Sequence, residues 1–253
     1  MMNHNVYKKF TEKYYPDWIC PTCKIGTLPF NSKRINCLET IESRKARDND
    51  GWEPDWITEI YNGVLTCSNP RCKQDIIIVG DSWVGDNNED NLYGSSDEYK
   101  SYYNVKFFHP NLEFFNIPEA LAADISEIIQ KSFGLFFYSP ASSANYARVA
   151  LEKFLTKIRI KSCVINKNGK RQRLTLHKRI ELLPKAKFNK EINLFMAIKW
   201  IGNAGSHDDE VTHSNMIDLY SIFDLLLKNI YDDTAKKVSM LANKVVKKKG
   251  PVR

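Results

Sequence analysis

The spacing of apolar residues changes its period once along the chain. The β-branched run at residues 75–80 predicts a strand, and residues 64–66 supply the other arm of a hairpin. From Pro118 onward, apolar residues recur at the period of an amphipathic helix. The pattern therefore predicts a small β region followed by a bundle of antiparallel helices joined by short loops.

Residues typical of helix starts and ends give the bundle approximate bounds. Pro118 is expected in the first turn of a helix that ends near Gly134. Ser139 and Pro140 are suited to an N-cap and a first helical position, and they open the most regular apolar stripe of the chain. The same spacing predicts three further helices, over residues 174–183, 189–201 and 216–230.

Two close cysteine pairs lie in the β region. Two residues separate Cys20 from Cys23, and four separate Cys67 from Cys72. Each pair can wrap a turn around one metal ion, and four thiolates are a ligand set of closed, tetrahedral zinc sites. The spacing therefore predicts structural zinc, and the alternative is a set of four reduced core cysteines.

The predicted domain boundaries follow from these patterns. Residues 1–85 are expected to form a small β zinc-ribbon domain, and residues 86–117 an acidic, polar linker and lead-in. The helical bundle is expected over residues 118–235, followed by a basic, frayed tail at residues 236–253. The predicted fold class is therefore mainly α, with a zinc ribbon in front of the bundle.

Composition and charge narrow the range of partners. A hydrophobic fraction of 43% in 253 residues is enough to fill a core and excludes wholesale disorder. Residues 1–117 carry 13 Lys and Arg against 17 Asp and Glu, a net charge of −4, whereas residues 118–253 carry 24 against 13, a net charge of +11. A basic half of this kind favours a polyanion such as RNA or DNA as the partner.

The distribution of apolar residues also bears on the compartment. No apolar segment has the length of a signal-peptide core or a membrane span, so a cytoplasmic protein with no membrane partner is expected. Cysteines stay reduced in that compartment, which favours metal binding over disulfides. Cys37 and Cys163 have no Cys or His neighbour at ligand spacing and are interpreted as buried or incidental thiols.

Three short motifs in the helical part resemble a known family. They are Ile117-Pro118, the run from Tyr146 to Glu152 (YARVALE), and the run from Ile201 to His207 (IGNAGSH). In this order they resemble the HEPN-like domain of unknown function of bacteria and archaea, which occurs alone, behind an N-terminal zinc ribbon, or fused to restriction-enzyme subunits. The resemblance covers about residues 103–235 and implies a helical domain that forms a homodimer.

The resemblance also implies a possible reaction. The superfamily contains metal-independent ribonucleases of toxin–antitoxin and antiphage systems, whose motif is an arginine, usually a polar residue, and then a histidine. His207 matches the histidine, which would move a proton to or from the ribose 2′-hydroxyl, and Asn203 matches the polar residue. Gly202 stands where the arginine would stabilise the phosphorane-like charge, so the electrostatic half of the mechanism is missing from its expected place.

Other cations can be considered as substitutes for that arginine. Lys199, Asn203 and His207 share one face if the helix continues past Gly202. Arg148, four residues before Glu152, can serve as a phosphate clamp or, with Glu152, as an orienting partner for His207. Each residue also has a structural interpretation. Arg148 and Glu152 have the spacing of an ordinary helical ion pair, Asn203 suits a helix C-cap, and His207 suits the start of the next helix.

Two functions of different classes remain. In the first, the protein is a nucleic-acid-binding effector of a defence system with weak or absent ribonuclease activity. In the second, the helices form a non-catalytic dimerisation or adaptor module that docks a partner protein or DNA. Gly202 favours the second, whereas His207 and the charge asymmetry favour the first. Nucleotide hydrolysis and dinucleotide chemistry have no support, because the chain lacks a P-loop and a G-x-G-x-x-G motif.

Overall fold

The computed structural model of the chain describes residues 4–85, 99–167, 169–205, 211–232 and 234–251. Its first part is built on a four-stranded antiparallel sheet, and its second part is helical. Buried side chains from both parts belong to one hydrophobic core.

The sheet follows chain order, with each strand antiparallel to its neighbour. Its buried and exposed residues alternate, as in the third strand, where Ile76 and Ile78 are buried and Ile77 is exposed. The predicted hairpin is confirmed, because Thr66 lies opposite Asp75 and Val64 opposite Ile77. The four strands are β1 (Ile35–Glu39), β2 (Thr58–Thr66), β3 (Asp75–Gly85) and β4 (Lys100–His109).

The expected fold class, mainly α with a small zinc ribbon, is wrong. The strand β4 lies within residues 86–117, which were expected to be a linker and lead-in, and it pairs with β3 along almost its whole length. Phe10 also forms a bridge with Tyr103 of β4. The first part is therefore a full sheet with cysteine turns at one end. Because β4 pairs across a long connection, the local pattern did not reveal it.

The two longest described helices of the helical part are α3 (Pro140–Lys157) and α7 (His213–Tyr231). Ser139 caps α3 through the backbone amide of Ser142, and Pro140 is its first residue, which confirms the predicted start. Thr212 forms a capping box with Asn215 at the start of α7. The described helices are α1 (Ile41–Ala46), α2 (Ala123–Leu135), α3 (Pro140–Lys157), α4 (Leu176–Glu181), α5 (Lys185–Phe188), α6 (Ile192–Ala204), α7 (His213–Tyr231) and α8 (Thr234–Lys248).

Several expected boundaries differ from the structure. Residues 118–121 form a turn, and α2 begins only at Ala123, with Ala122 as an N-cap that offers no side-chain acceptor. The segment around Leu174 is not helical. It directly follows a two-stranded hairpin formed by β5 (Cys163–Ile165) and β6 (Arg171–Arg173). Most of the expected frayed tail belongs to α8.

A buried hydroxyl cluster joins α2, α3 and α7. Ser132 donates to the Ser143 carbonyl at 2.8 Å, and Ser143 donates to the Ser132 carbonyl at 2.7 Å. The Tyr220 hydroxyl lies 2.9 Å from the Ser132 hydroxyl and 2.7 Å from that of Ser143. Since both serine protons are directed to carbonyl oxygens, the single phenolic proton of Tyr220 is donated to one of the two serine hydroxyls. Burial accordingly raises the pKa of Tyr220.

We expect Tyr220→Phe to lower the free energy of unfolding by about 1–2 kcal/mol, because it removes a buried hydrogen bond without changing the ring packing. The measurement is the urea midpoint followed by circular dichroism. Tyr138→Phe is the matched control, since the Tyr138 side chain is exposed. Equal midpoints for the two variants would contradict the role given to the hydroxyl cluster.

Candidate metal centre and basic groove

The two cysteine pairs meet at one end of the β2–β3 hairpin. Cys67 follows β2 and Cys72 precedes β3, while Cys20 and Cys23 come from the segment before β1. All four Sγ atoms lie within 4.8 Å of one another. The Sγ atoms of Cys20 and Cys72 are 3.9 Å apart, and those of Cys23 and Cys67 are 3.6 Å apart. The structure thus brings all four predicted ligands to one point.

The backbone around the cysteines is shaped by two similar turns. Lys24 and Lys73 each directly follow the second cysteine of a pair, and both adopt left-handed conformations with φ of 57° and 53°. The two turns are linked, because the Ser68 amide donates to the Thr27 carbonyl at 2.9 Å. A Cβ atom at Gly26 would lie 2.5 Å from the Cys67 Sγ atom, so the cluster requires glycine there.

The local environment shifts the pKa values of Cys23 and Cys67 in opposite directions. The Gly26 amide donates to the Cys23 Sγ atom at 3.3 Å, and such backbone hydrogen bonds lower the pKa of Cys23 to about 6. Burial raises the pKa of Cys67 to about 12. Four thiol groups in this arrangement can hold a soft metal ion, which would deprotonate the remaining thiols on binding.

A second candidate site is a groove of about 640 Å³ between α3, α4, α6 and the end of the β5–β6 hairpin. Its lining is strongly basic and contains one carboxylate. The lining residues are Arg148, Glu152, Arg173, Leu174, Thr175, Leu176, His177, Arg179, Lys199 and Asn203.

Four of the five residues proposed from the sequence for a polyanion site line this groove. Arg148 and Glu152 come from α3, and Lys199 and Asn203 come from α6. The fifth, His207, lies outside the described residues. Packing of α3 on α6 therefore brings together residues that are far apart in sequence.

The only carboxylate of the groove lining, Glu152, faces two guanidinium groups. Arg148 donates to Glu152 at 2.9 Å, the helical ion pair that its spacing suggests. A nitrogen of Arg173 lies 3.6 Å from the other carboxylate oxygen. The Arg173 side chain is 81% exposed, so it stays accessible to a ligand.

Two cations of the groove are buried. Arg179 is 5% exposed and donates to the Glu152 carbonyl at 3.1 Å and to the Thr156 hydroxyl at 2.8 Å. Its Nε atom has no partner among the residues that the structure describes. Lys199 is also 5% exposed, and burial lowers its pKa. Four cations therefore line the groove against one carboxylate, an arrangement that attracts an anionic group.

Sequence reasoning did not identify the six lining residues outside α3 and α6, three of which carry basic side chains. Arg173 lies on β6, and Arg179 and His177 lie on α4. His177 is exposed, lies 3.4 Å from Glu181 and borders the groove. The local sequence did not reveal these residues, because the folding of the hairpin and the placement of α4 decide where their side chains lie.

The structure explains why glycine occupies position 202. A Cβ atom there would lie 2.7 Å from the Arg148 Cβ atom, and one at Gly205 would lie 2.4 Å from the Ala141 carbonyl oxygen. Helix α6 thus crosses α3 with its backbone in close contact. An arginine at position 202 would force the two helices apart.

Comparisons with known proteins give two family matches. Residues 8–110 match a domain of unknown function (DUF8608), and residues 130–247 match a second domain of unknown function (DUF4145). No curated protein and no solved structure matches the chain. The first match covers most of the sheet part and the second most of the helical part.

We expect Gly202→Ala to lower the free energy of unfolding by about 1–3 kcal/mol, because the added methyl group overpacks the crossing of α3 and α6. Helix propensity alone predicts the opposite sign, a gain of about 1 kcal/mol. The control is Gly51→Ala, since a Cβ atom at Gly51 meets nothing within 4 Å. A Gly202→Ala variant that is more stable than wild type in urea unfolding would contradict the close crossing.

Proposed function

We propose that the helical part binds RNA or another polyanion through the basic groove, as a HEPN-like protein of a prokaryotic defence system of the antiphage, restriction-linked or toxin–antitoxin kind. The observation that supports this most is the set of four cations around one carboxylate in the groove. The resemblance of the helical motifs and the net charge of +11 over residues 118–253 point in the same direction.

The groove suits phosphate chemistry for two reasons. Arg148 and Arg173 each face the Glu152 carboxylate through one guanidinium nitrogen, and guanidinium groups also bind phosphate. Lys199 and Arg179 are held in buried positions, so their charges are weakly screened by water. A phosphate that enters the groove would therefore meet cations that are already in place.

Ribonuclease activity is proposed to be weak or absent, because Gly202 supplies no charge. The closest substitute is Arg148, whose side chain begins beside Gly202 and ends in the groove. In a cleavage reaction, Arg148 and Lys199 would hold the phosphate, Asn203 would offer a hydrogen bond, and His207 would carry the proton. Glu152 would orient Arg148.

For the four cysteines we propose a structural zinc ion. A tetrahedral zinc with Zn–S bonds of about 2.3 Å places its sulfur atoms about 3.8 Å apart. The Sγ–Sγ distances of 3.6 Å (Cys23–Cys67) and 3.9 Å (Cys20–Cys72) lie on either side of that value. All four positions of the ion would be taken by thiolates, so its role would be to hold the two turns together.

One observation supports the second candidate, a non-catalytic dimerisation or adaptor module. The outer face of the sheet exposes a group of large apolar side chains, and such a patch is typical of a protein interface. The exposed apolar residues are Leu38, Ile60, Ile77, Val79 and Phe107. A homodimer through the helical domain is part of both candidates.

None of the described helices has the length and apolar character needed to cross a membrane.

The groove is tested by RNA binding in fluorescence anisotropy at several salt concentrations. We expect Arg173→Ala to weaken binding about five- to tenfold and to reduce the salt slope by about one, because one phosphate contact is lost. The control is Arg44→Ala, an exposed arginine of α1 outside the groove. Equal affinities for these two variants would count against the groove as the binding site.

The same preparation tests catalysis. We expect wild-type protein to bind mixed RNA with little cleavage, and any cleavage to persist in EDTA and to disappear in His207→Ala. Strong metal-independent cleavage lost in His207→Ala would overturn the proposal of weak activity and would also exclude a purely adaptor role. Absence of cleavage, together with unchanged RNA affinity in Arg148→Ala, would support the adaptor.

The metal centre is tested by elemental analysis of the purified chain. We expect about one zinc per chain, and we expect Cys67→Ser to lose zinc and the near-ultraviolet signal of the sheet part, because the metal then no longer holds the two turns together. Cys37→Ser serves as the control and should keep its zinc, because Cys37 lies outside the cluster. Full zinc retention in both Cys20→Ser and Cys67→Ser would refute the ligand assignment.

A further inference from the structure

Trp200 is an exposed aromatic side chain next to the basic groove. It directly follows Lys199 on α6, and its 60% exposure is the largest among the five tryptophans of the chain, ahead of Trp56 at 44%. Exposed tryptophan side chains are enriched at binding sites, because the indole offers a large apolar surface. Trp200 therefore places an exposed aromatic surface beside the cations of the groove.

Two groove residues hold the indole. The Lys199 ammonium group lies over the Trp200 ring, a cation–π contact that also provides a partner for this buried charge. The His177 ring meets the indole edge-on, with the ring centroids 6.3 Å apart and an interplanar angle of 61°. Among the residues that the structure describes, Lys199 faces no carboxylate at ion-pair distance, and its ammonium group contacts the indole. The indole is therefore positioned by residues of the groove itself.

An aromatic surface beside cations is the arrangement that binds an unpaired nucleotide. The base stacks on the ring, which contributes about 1–3 kcal/mol per base, while the phosphate contacts the cations. A base inside a duplex has no free face for this contact. The combination therefore distinguishes an unpaired nucleotide from a double helix, which the groove charges alone do not.

We propose that Trp200 is a base-stacking residue, and that Trp200 and the basic groove together bind a nucleotide with an unpaired base. This inference rests on the proposed polyanion function and makes it more specific. The nucleotide can be part of a single-stranded nucleic acid or a free nucleotide, since both present a phosphate and an open base face. The cations of the groove that serve the phosphate are Arg148, Arg173, Arg179 and Lys199.

The experiment compares three probes by fluorescence anisotropy or calorimetry: a short single-stranded RNA, the duplex of the same sequence, and AMP. We expect Trp200→Ala to weaken binding of the single strand about five- to a hundredfold and to leave duplex binding unchanged. Trp200→Phe should weaken binding of the single strand less than Trp200→Ala does, because phenylalanine keeps an aromatic face. The matched control is Trp56→Ala, another exposed tryptophan outside the groove.

The AMP arm separates the two sources of the nucleotide. Trp200-dependent binding of AMP with an affinity like that of the single strand supports the proposal with a free nucleotide as ligand. Trp200-dependent binding of the single strand alone supports it with a nucleic acid as ligand. Quenching of tryptophan fluorescence by either probe should be present in the wild type and in Trp56→Ala, and absent in Trp200→Ala.

Failure of this inference can be told apart from failure of the proposed function. If Arg173→Ala weakens RNA binding but Trp200→Ala behaves like Trp56→Ala, stacking is refuted and the polyanion groove stands. If the wild type binds none of the three probes, both are refuted. If Trp200→Ala weakens single-strand and duplex binding equally and shifts the sedimentation of the protein, Trp200 belongs to an interface between copies, and stacking is again refuted.

Discussion

Helix α6 approaches α3 at Gly202 and Gly205 to a distance that only glycine permits. A Cβ atom at Gly202 would lie 2.7 Å from the Cβ atom of Arg148, so the two helices meet almost backbone to backbone. Because of this contact, Lys199 and Asn203 on α6 line the same groove as Arg148 on α3. The joint contribution of α3 and α6 to the groove and the exclusion of arginine from position 202 both depend on this single crossing. A larger residue at the crossing would separate the cations that the groove brings together.

The sheet and the helices share an aromatic core that crosses the expected domain boundary. Phe108 of β4 packs on Phe137 with ring centroids 4.8 Å apart, and Phe114 packs on Tyr220 of α7 at 4.9 Å. Trp18, two residues before the first cysteine, packs on Phe108 at 5.2 Å. The cysteine cluster is therefore anchored to the same core as the helices. Aromatic pairs of this kind each stabilise the fold by about 0.5–1.5 kcal/mol beyond the free energy gained by burying their surface.

Local features of the sequence were sufficient where the structure depends on neighbours along the chain. The Ser139–Pro140 start of α3, the β2–β3 hairpin and the Arg148–Glu152 pair each follow from residues a few positions apart. The strand β4 and the β5–β6 hairpin did not follow in this way. The first joins its partner across a long connection, and the second consists of two strands of only three residues, which carry almost no periodic signal.

The sequence by itself indicated the two sets of candidate functional residues. Cysteine spacing selected the four thiols, and the family resemblance together with helical spacing selected the groove residues on α3 and α6. Only the tertiary structure decided that the β region is a full sheet packed on the helices, and that Arg173 and Arg179 join the groove with Trp200 at its edge. The physical reason is that residue types record which chemistry is available, whereas convergence of distant side chains is set by strand pairing and helix crossing.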